Sequence, residues 1–177
     1  MPRPTPRKLD AAALLQYALG ALGRRALSAG ELRERLNRRA ITPDDVAGVM
    51  ARLAEYGYLN DDRFAESYAN WRRDSQGLGR QRVLRDLRTR RVAPAVAEKA
   101  VEQAYSATDE TALIEQFLAR KFRGKALPAY LAEPKNLASA FRKLRYAGFS
   151  SSASIAALRR YSEQATELED DPDSGNF

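Results

Sequence analysis

The chain has 177 residues, with 30 Lys and Arg against 23 Asp and Glu for a formal charge of +7. A mean hydropathy of -0.55 beside 44% hydrophobic content describes a soluble chain able to bury real cores, and no apolar run reaches the roughly 18 residues of a membrane span. There is no Cys and no His, which excludes disulfides, thiolate nucleophiles, Cys/His zinc sites, imidazole bases and Ser-His-Asp triads, leaving carboxylate and Mg²⁺ chemistry or a Ser-Lys pair as catalytic options.

Residues 1–9 are basic with no apolar stretch behind them, so they read as a disordered arm and not as a signal peptide, which puts the expected location in the cytoplasm. The first helix is expected to start at the cap Asp10, to align Leu14, Leu15, Ala18, Leu19 and Leu22 on one face, and to end at Gly23. Ser28 and Glu31 have capping-box spacing, and beyond them Leu32 and Leu36 face inward while Arg33, Arg35, Arg38 and Arg39 point elsewhere. Thr42-Pro43 opens a third helix carrying Val46, Val49, Met50 and Leu53, with Gly57 as its stop. Phe64, Ala65, Tyr68 and Trp71 form the core stripe expected of a fourth. Gly77 and Gly79 then break the chain before Val83, Leu84 and Leu87, and Pro94 opens a sixth helix with Val96, Ala97, Ala100, Val101 and Ala104. A further set runs through Leu113, Ile114, Phe117 and Leu118, crosses a looser segment around 124–134, and continues with Leu137, Phe141 and Leu144 before Ile155 and Leu158. No stretch alternates with period two.

Three spacings tie these helices together. Leu36 to Ile41, Leu87 to Val92 and Leu144 to Phe149 each place a β-branched or aromatic residue five positions after a leucine; the first two copies are 51 residues apart, the third 57 further. With the first register Pro43 falls on Pro94, Val49 on Ala100 and Met50 on Val101. Such a repeat implies one small helical unit copied in tandem. The expected fold is therefore all-α: three tandem three-helix-bundle repeats over 10–59, 60–107 and 108–162, nine helices in all, forming an elongated molecule with an acidic disordered tail at 163–177. An array of this kind offers a long shallow surface suited to a macromolecular ligand.

Charge is unevenly distributed. Six acids and no base lie from Glu163 onward, so residues 1–162 carry 30 bases against 17 acids, or +13. Arginine supplies 24 of the 30 bases, and its planar fork suits phosphates and carboxylates. The densest stretch runs from Arg72 to Arg91, and within it Arg80, Arg82, Arg85 and Arg88 define a candidate partner or nucleic-acid contact, with Arg33, Arg35, Arg38 and Arg39 as its counterpart one repeat earlier. Six such contacts to a single strand give a slope of log K against log salt of about -4. The alternative is a solvated face paired with acids of neighbouring helices. Tyr68 and Trp71 have the chemistry to stack on bases, but their spacing with Phe64 fits a core. Asp44-Asp45 and Asp61-Asp62 sit at helix starts, where acids satisfy amides and the dipole. No metal ligands or cofactor-binding motif emerge.

Arg25-x-x-Ser28-x-x-Glu31-Leu32, then Gly57-Tyr58-Leu59-Asn60-Asp61-x-Arg63-Phe64-Ala65, then Gly79-x-x-Arg82-Val83-x-x-x-Leu87, and finally Phe141-Arg-Lys-Leu144-x-x-Ala147-Gly148-Phe149 resemble, in order and spacing, the RecX family of bacterial recombination regulators. The likeness covers roughly residues 10–161. It implies three three-helix repeats, no catalysis, and binding to the RecA recombinase and its filament on single-stranded DNA, mainly inhibiting filament extension, ATP hydrolysis and strand exchange, and so regulating recombination, DNA repair and the SOS response. A monomer without cofactors is the expectation. Ala40 and Arg91 stand where that family usually has Gly, so those two turns are expected to close differently. The competing readings are a stand-alone helix-turn-helix-like DNA-binding module and a metal-dependent nuclease using Asp61 and Asp62.

Overall fold

Most of the helices begin where the sequence supplies a side chain or a proline that suits a first turn. In the computed structural model, which describes residues 8–170 and of 169 and 170 only the backbone, Asp10 accepts the amide of Ala13 at 2.9 Å and opens α1 (Ala11–Arg24). Ser28 and Glu31 close the expected capping box ahead of α2 (Ala29–Asn37), and Thr42 with Asp45 forms another ahead of α3 (Pro43–Glu55). The Asn60 side chain accepts the Arg63 amide at 2.9 Å where α4 (Asp61–Gln76) starts, and α5 (Arg80–Thr89) and α6 (Pro94–Tyr105) follow. After these come α7 (Glu110–Lys121), capped by Asp109, then α8 (Leu127–Leu131), α9 (Pro134–Ala147), α10 (Ser151–Arg159) and a 3-10 helix (Glu163–Asp170).

Four boundaries differ from the sequence reading, each for a local reason. Among the described residues there are ten α-helices, not nine, because buried Leu131 anchors a short helix in the segment expected to be loose. The first helix passes Gly23 to Arg24, since Gly23 is not among the glycines that take a positive φ. The end of the expected arm is pinned: the Leu9 amide donates to the Arg39 carbonyl at 2.7 Å and the Ile41 amide to the Leu9 carbonyl at 3.1 Å. The acidic segment from Glu163 begins as the 3-10 helix, with Ala165 fully buried. The rest of the arm, 1–7, and of the tail, 171–177, lies outside the described residues.

The chain divides into two compact units, one formed by the described residues up to Ser67 with Leu87–Ala100, the other by Tyr68–Asp86 with the residues from Val101 onward. In the first unit α1, α2 and α3 enclose Leu14, Ala18, Leu32, Leu36, Val46, Val49 and Leu53, the residues marked by helical spacing. In the second, α7, α9 and α10 enclose Ile114, Leu118, Leu137, Phe141, Leu144, Phe149 and Leu158. Full burial of each of the larger side chains among them contributes about 1.5–3 kcal/mol, so the apolar stripes outweigh intrinsic helix preference in fixing the helices.

The closing turns of α5 and α9 share one geometry. After α5, Arg91 takes φ 60°, its amide donates to the Arg88 carbonyl at 2.9 Å and the Val92 amide to the Leu87 carbonyl at 3.1 Å. After α9, Gly148 takes φ 92°, with the matching bonds from Gly148 to Arg145 at 3.0 Å and from Phe149 to Leu144 at 3.2 Å. The left-handed residue folds the chain back, which buries Val92 and Phe149. The α2 turn is different. Ala40 has no positive φ, pairs with Leu9 as an isolated bridge, and sends Ile41 outward at 61% exposure. The first of the three leucine spacings therefore does not end in a buried hydrophobe: Ala40 avoids the positive φ that a Cβ disfavours, and Leu9 takes up the freed backbone groups.

Each of the two left-handed turns receives the start of another helix. In the first unit the Ser28 hydroxyl donates to the Arg90 carbonyl, and Gly30 lies so close to the turn that a Cβ there would stand 2.6 Å from the Cβ of Arg91. In the second unit the Gly79 amide donates to the Ala147 carbonyl at 2.9 Å and the Gln81 amide to the Gly148 carbonyl at 3.1 Å, while a Cβ on Gly148 would stand 2.2 Å from the Arg82 backbone nitrogen. Gly148→Ala is expected to lose about 3 kcal/mol or more, from backbone strain and the clash with Arg82 together. Arg91→Gly, which relieves a strained arginine but frees the unfolded chain, should stay within about 1 kcal/mol of the parent. Urea denaturation of the two variants checks this, and comparable losses would contradict the assigned roles.

The end of the second unit is tied by Tyr161, whose hydroxyl donates to Glu115 at 2.5 Å. That hydrogen bond, with some burial, pushes the phenol up to about 12 from its usual 10. A raised folded-state pKa means the stabilisation is fully present below about pH 10 and disappears as pH rises toward 12. Between those limits the denaturation midpoint should fall more steeply for the parent than for Tyr161→Phe; parallel curves would show that the bond contributes nothing.

Candidate cationic interface

Guanidinium groups outnumber the carboxylates available to them, so the site reduces to which arginines the protein commits to its own structure. In the first unit the two acids of α2 are each shared. Glu31 lies 3.2 Å from Arg25 and 3.4 Å from Arg90, and Glu34 lies 2.8 Å from Arg38 and 2.7 Å from Arg91. The hydrogen bond from Arg38, then that from Arg91, holds the Glu34 carboxyl below its ordinary range. Two carboxylates facing four guanidiniums leave a net positive edge. Arg33 and Arg35, on the same helix, have no ion pair among the described residues, and Arg39 lays its guanidinium over the Tyr17 ring at 4.7 Å.

The α5 arginines, expected to be the strongest contact, are more heavily engaged than their density suggests. Arg80 pairs with Glu102, Arg88 with Glu98 at 3.1 Å, and Arg82 with Asp86 at 3.0 Å; Arg85 is half-buried. Glu98 and Glu102 are one turn apart on α6 and serve opposite ends of α5, so the pairing with a neighbouring helix, weighed as the alternative, is what the helices adopt. These pairs differ in strength. The side chains of Arg80, Glu102, Arg88 and Glu98 are all more than half exposed, and pairs of that kind contribute about 0–1 kcal/mol, so an external anion can replace the carboxylate.

Asp86 is another matter. It holds Arg82 and Arg72, and all three side chains are a quarter exposed or less. Arg82 also stacks on Tyr146, its carbon 4.6 Å from the ring centroid, and its hydrogen bond holds that phenol below the usual value. Arg72 reaches Gln76 as well and lies 5.5 Å from the Tyr68 centroid and 5.7 Å from that of Trp71. Trp71 itself is 49% exposed, against the expectation that it joins a core stripe. The buried face of α4 is made by Ala65 and Ala69, one position round from the aromatic line, and small residues there allow close helix packing that leaves the indole outside.

The paired acids at helix starts have separate partners. Asp61 accepts the amide of Ala29 at 2.8 Å, so it serves the first turn of α2 in addition to the dipole of its own helix, and Asp62 meets Lys99 at 3.3 Å. Asp45 accepts the Thr42 amide at 3.2 Å. No group of three or more His, Cys, Asp and Glu able to hold a metal occurs among the described residues.

One set of cations went unmarked in the sequence. α9 carries Lys135, Arg142, Lys143 and Arg145 with no acid between Pro134 and Ala147, and Arg142, like Lys121 of α7, has no ion pair among the described residues. The signal was the missing acid, not the number of bases, since α5 has more arginine and carries its own Asp86.

Helical trios following one another along the chain, with a surplus of weakly held guanidinium groups, define an all-α helical-repeat protein with a cationic surface. Residues 15–53 match the family model for the first three-helix domain of RecX and residues 60–101 that for its second three-helix domain. The chain is 36% identical over 161 residues to the regulatory protein RecX of Deinococcus radiodurans, covering 91% of this chain and 74% of that one. It is 29% identical over 147 residues to the regulatory protein RecX of Syntrophotalea carbinolica, covering 83% and 93%. A crystal structure of RecX from Lactobacillus salivarius superposes with a TM-score of 0.66 over 87% of this chain and 97% of that one, at 19% identity, which supports the fold. The chain belongs to the RecX family.

The two classes of ion pair should separate on mutation. Arg72→Ala, which leaves Asp86 short of a partner in a poorly hydrated place, is expected to lose about 2–3 kcal/mol. Arg80→Ala and Arg88→Ala should each change stability by about 0.5 kcal/mol or less. Chemical denaturation distinguishes them, and a large loss at Arg80 or Arg88 would rule them out as exchangeable contacts.

Proposed function

We propose that this chain binds the RecA recombinase and its filament on single-stranded DNA, and that it acts as a regulator which mainly inhibits filament extension, ATP hydrolysis and strand exchange. Through that action it regulates recombination, DNA repair and the SOS response, working in the cytoplasm as a monomer without catalysis of its own. The observation that carries the reading is family membership, resting on 36% identity across 91% of the chain. The surface chemistry supports it: Arg33 and Arg35 carry no internal ion pair among the described residues, and Arg80 and Arg88 hold theirs weakly.

In this proposal Arg33 and Arg35 of α2, Arg38 and Arg39 just beyond its end, and Arg80, Arg85 and Arg88 of α5 meet phosphates or acidic recombinase side chains. Arg82 contributes by keeping α5 in place against Asp86 and Tyr146. Exposed guanidiniums exchange one carboxylate for another anion with little change in their own solvation, so the internal pairs hold the side chains extended until a partner arrives.

The test is single-stranded-DNA-dependent ATP hydrolysis by the cognate recombinase at rising, substoichiometric amounts of the chain. Hydrolysis should fall, and a variant combining Arg33→Glu, Arg35→Glu, Arg80→Glu and Arg88→Glu should lose most of the effect while melting like the parent. Undiminished hydrolysis with the parent chain would overturn the regulatory reading. Full inhibition by the variant would overturn the assignment of these arginines, and protection of one specific duplex sequence would favour a stand-alone DNA-binding module instead.

A further inference from the structure

Within the second unit, α7 and α9 flank an open depression of about 450 Å³ whose chemistry differs from that of the α2 and α5 arginines. Its floor is apolar, made by Leu78, Phe117 and Ala147. Lys121 stands on the α7 side, four residues beyond Phe117 and thus on the same helical face. On the α9 side Arg142 and Lys143 lie three and four residues beyond Ser139, and Tyr146 follows three residues after Lys143, so one stripe of that helix supplies the other wall.

Every charged side chain lining the depression is a cation. The carboxylates of α7 are committed elsewhere: Glu110 accepts the Ser150 amide at 2.7 Å and hydroxyl at 2.9 Å, and Glu115 accepts from Tyr161 and lies 3.4 Å from Arg160. Lys143 is steadied by Ser139 at 2.5 Å, whereas Lys121 and Arg142 are exposed and have no ion pair among the described residues. An occupant must therefore bring negative charge to both walls and an apolar group to the floor.

Those demands discriminate between ligands. A nucleic-acid strand binds such a place by stacking bases on open ring faces. Here Tyr146 already has Arg82 on one face at 4.6 Å, and half-buried Phe117 meets Phe149 edge-on, with centroids 5.6 Å apart and planes at 72°. What the floor offers is a concave patch of aliphatic and ring carbon with room for a large apolar side chain. The geometry points to a binding site for an acidic peptide segment, in which one large apolar side chain enters between α7 and α9 while flanking carboxylates meet Lys121 on one wall and Arg142 and Lys143 on the other. This goes beyond the recombinase reading and does not require it, since a short peptide suffices as ligand.

The full chain should bind a fluorescently labelled synthetic peptide of Asp and Glu around a central Phe, followed by anisotropy. Replacing the peptide's Phe with Ala should weaken binding about tenfold or more, because the floor then goes unfilled. Combining Lys121→Glu with Arg142→Glu should weaken it at least about tenfold, whereas Arg33→Glu with Arg35→Glu should leave it unchanged. Both target residues are exposed, and a thermal melt matching the parent's keeps the comparison on binding. The site is refuted by absence of peptide binding, by equal affinity for the Phe and Ala peptides, or by indifference to the double charge reversal. It is equally refuted if an oligothymidylate binds in a manner that depends on Lys121 and Arg142 while the peptide does not.

Discussion

The first turn of an α-helix leaves amides without partners and the last turn leaves carbonyls, and burying either without a partner costs about as much as a lost hydrogen bond. This chain meets the constraint by setting helix starts against helix ends. The start of α2 meets the turn after α5 through Ser28 and the Arg90 carbonyl, and the start of α5 meets the turn after α9 through Gly79, Gln81 and the carbonyls of Ala147 and Gly148. Each junction also places the positive end of one helix dipole at the negative end of another. Steric demand follows directly: backbone can approach backbone only where a Cβ is missing, at Gly30 in one junction and at Gly79 and Gly148 in the other.

That constraint explains how an arginine holds after α5 the left-handed position that glycine holds after α9. Arg91 can hold a left-handed backbone because its surroundings over-determine it: the Val92 amide bonds back to Leu87, Gly30 leaves room for the arginine Cβ, and Glu34 takes the guanidinium at 2.7 Å. The missing methyl has moved from the turn to the helix that packs on it. The junction thereby gains a cation, because the Arg91 side chain must emerge over α2, where Glu34 already serves Arg38. A packing solution has in this way added positive charge to the edge proposed to meet the partner.

Much of this was legible in the sequence, and the boundary of what was legible is physical. Caps, proline starts and apolar stripes are local, so the box at Ser28 and Glu31, the Pro43 and Pro94 starts and the buried Leu32, Leu36, Val83 and Leu87 could be read from spacing. Trp71 was not legible because the buried face runs from Ala65 to Ala69, a small residue that a search for large hydrophobes passes over, one position round from the aromatic line. Ile41 departs from Val92 and Phe149 because the leucine spacing is shared but the left-handed residue that turns a hydrophobe inward is not. The arginines were the hardest to read. Whether a guanidinium is available depends on carboxylates distant in sequence, as Arg80 with Glu102 and Arg90 with Glu31 illustrate, and a count of bases along one helix cannot contain that information.

Availability is thus a property of pairs, and it sorts the cations by the work each can do. Where a carboxylate is shielded and shared, as Asp86 is by Arg72 and Arg82, releasing either arginine to a ligand would strand a charge in a poorly hydrated place, so these groups hold helices together. Where the pair is open to water, as at Arg80 and Arg88, the carboxylate and an incoming phosphate compete on nearly equal terms, and local ligand concentration and salt decide the outcome. Where no pair exists among the described residues, as at Arg33, Arg35, Lys121 and Arg142, the cation has no internal anion to give up and sets the earliest electrostatic attraction. In the second unit the shielded pairs at Asp86 stay in place and hold together the helices from which the exposed cations project.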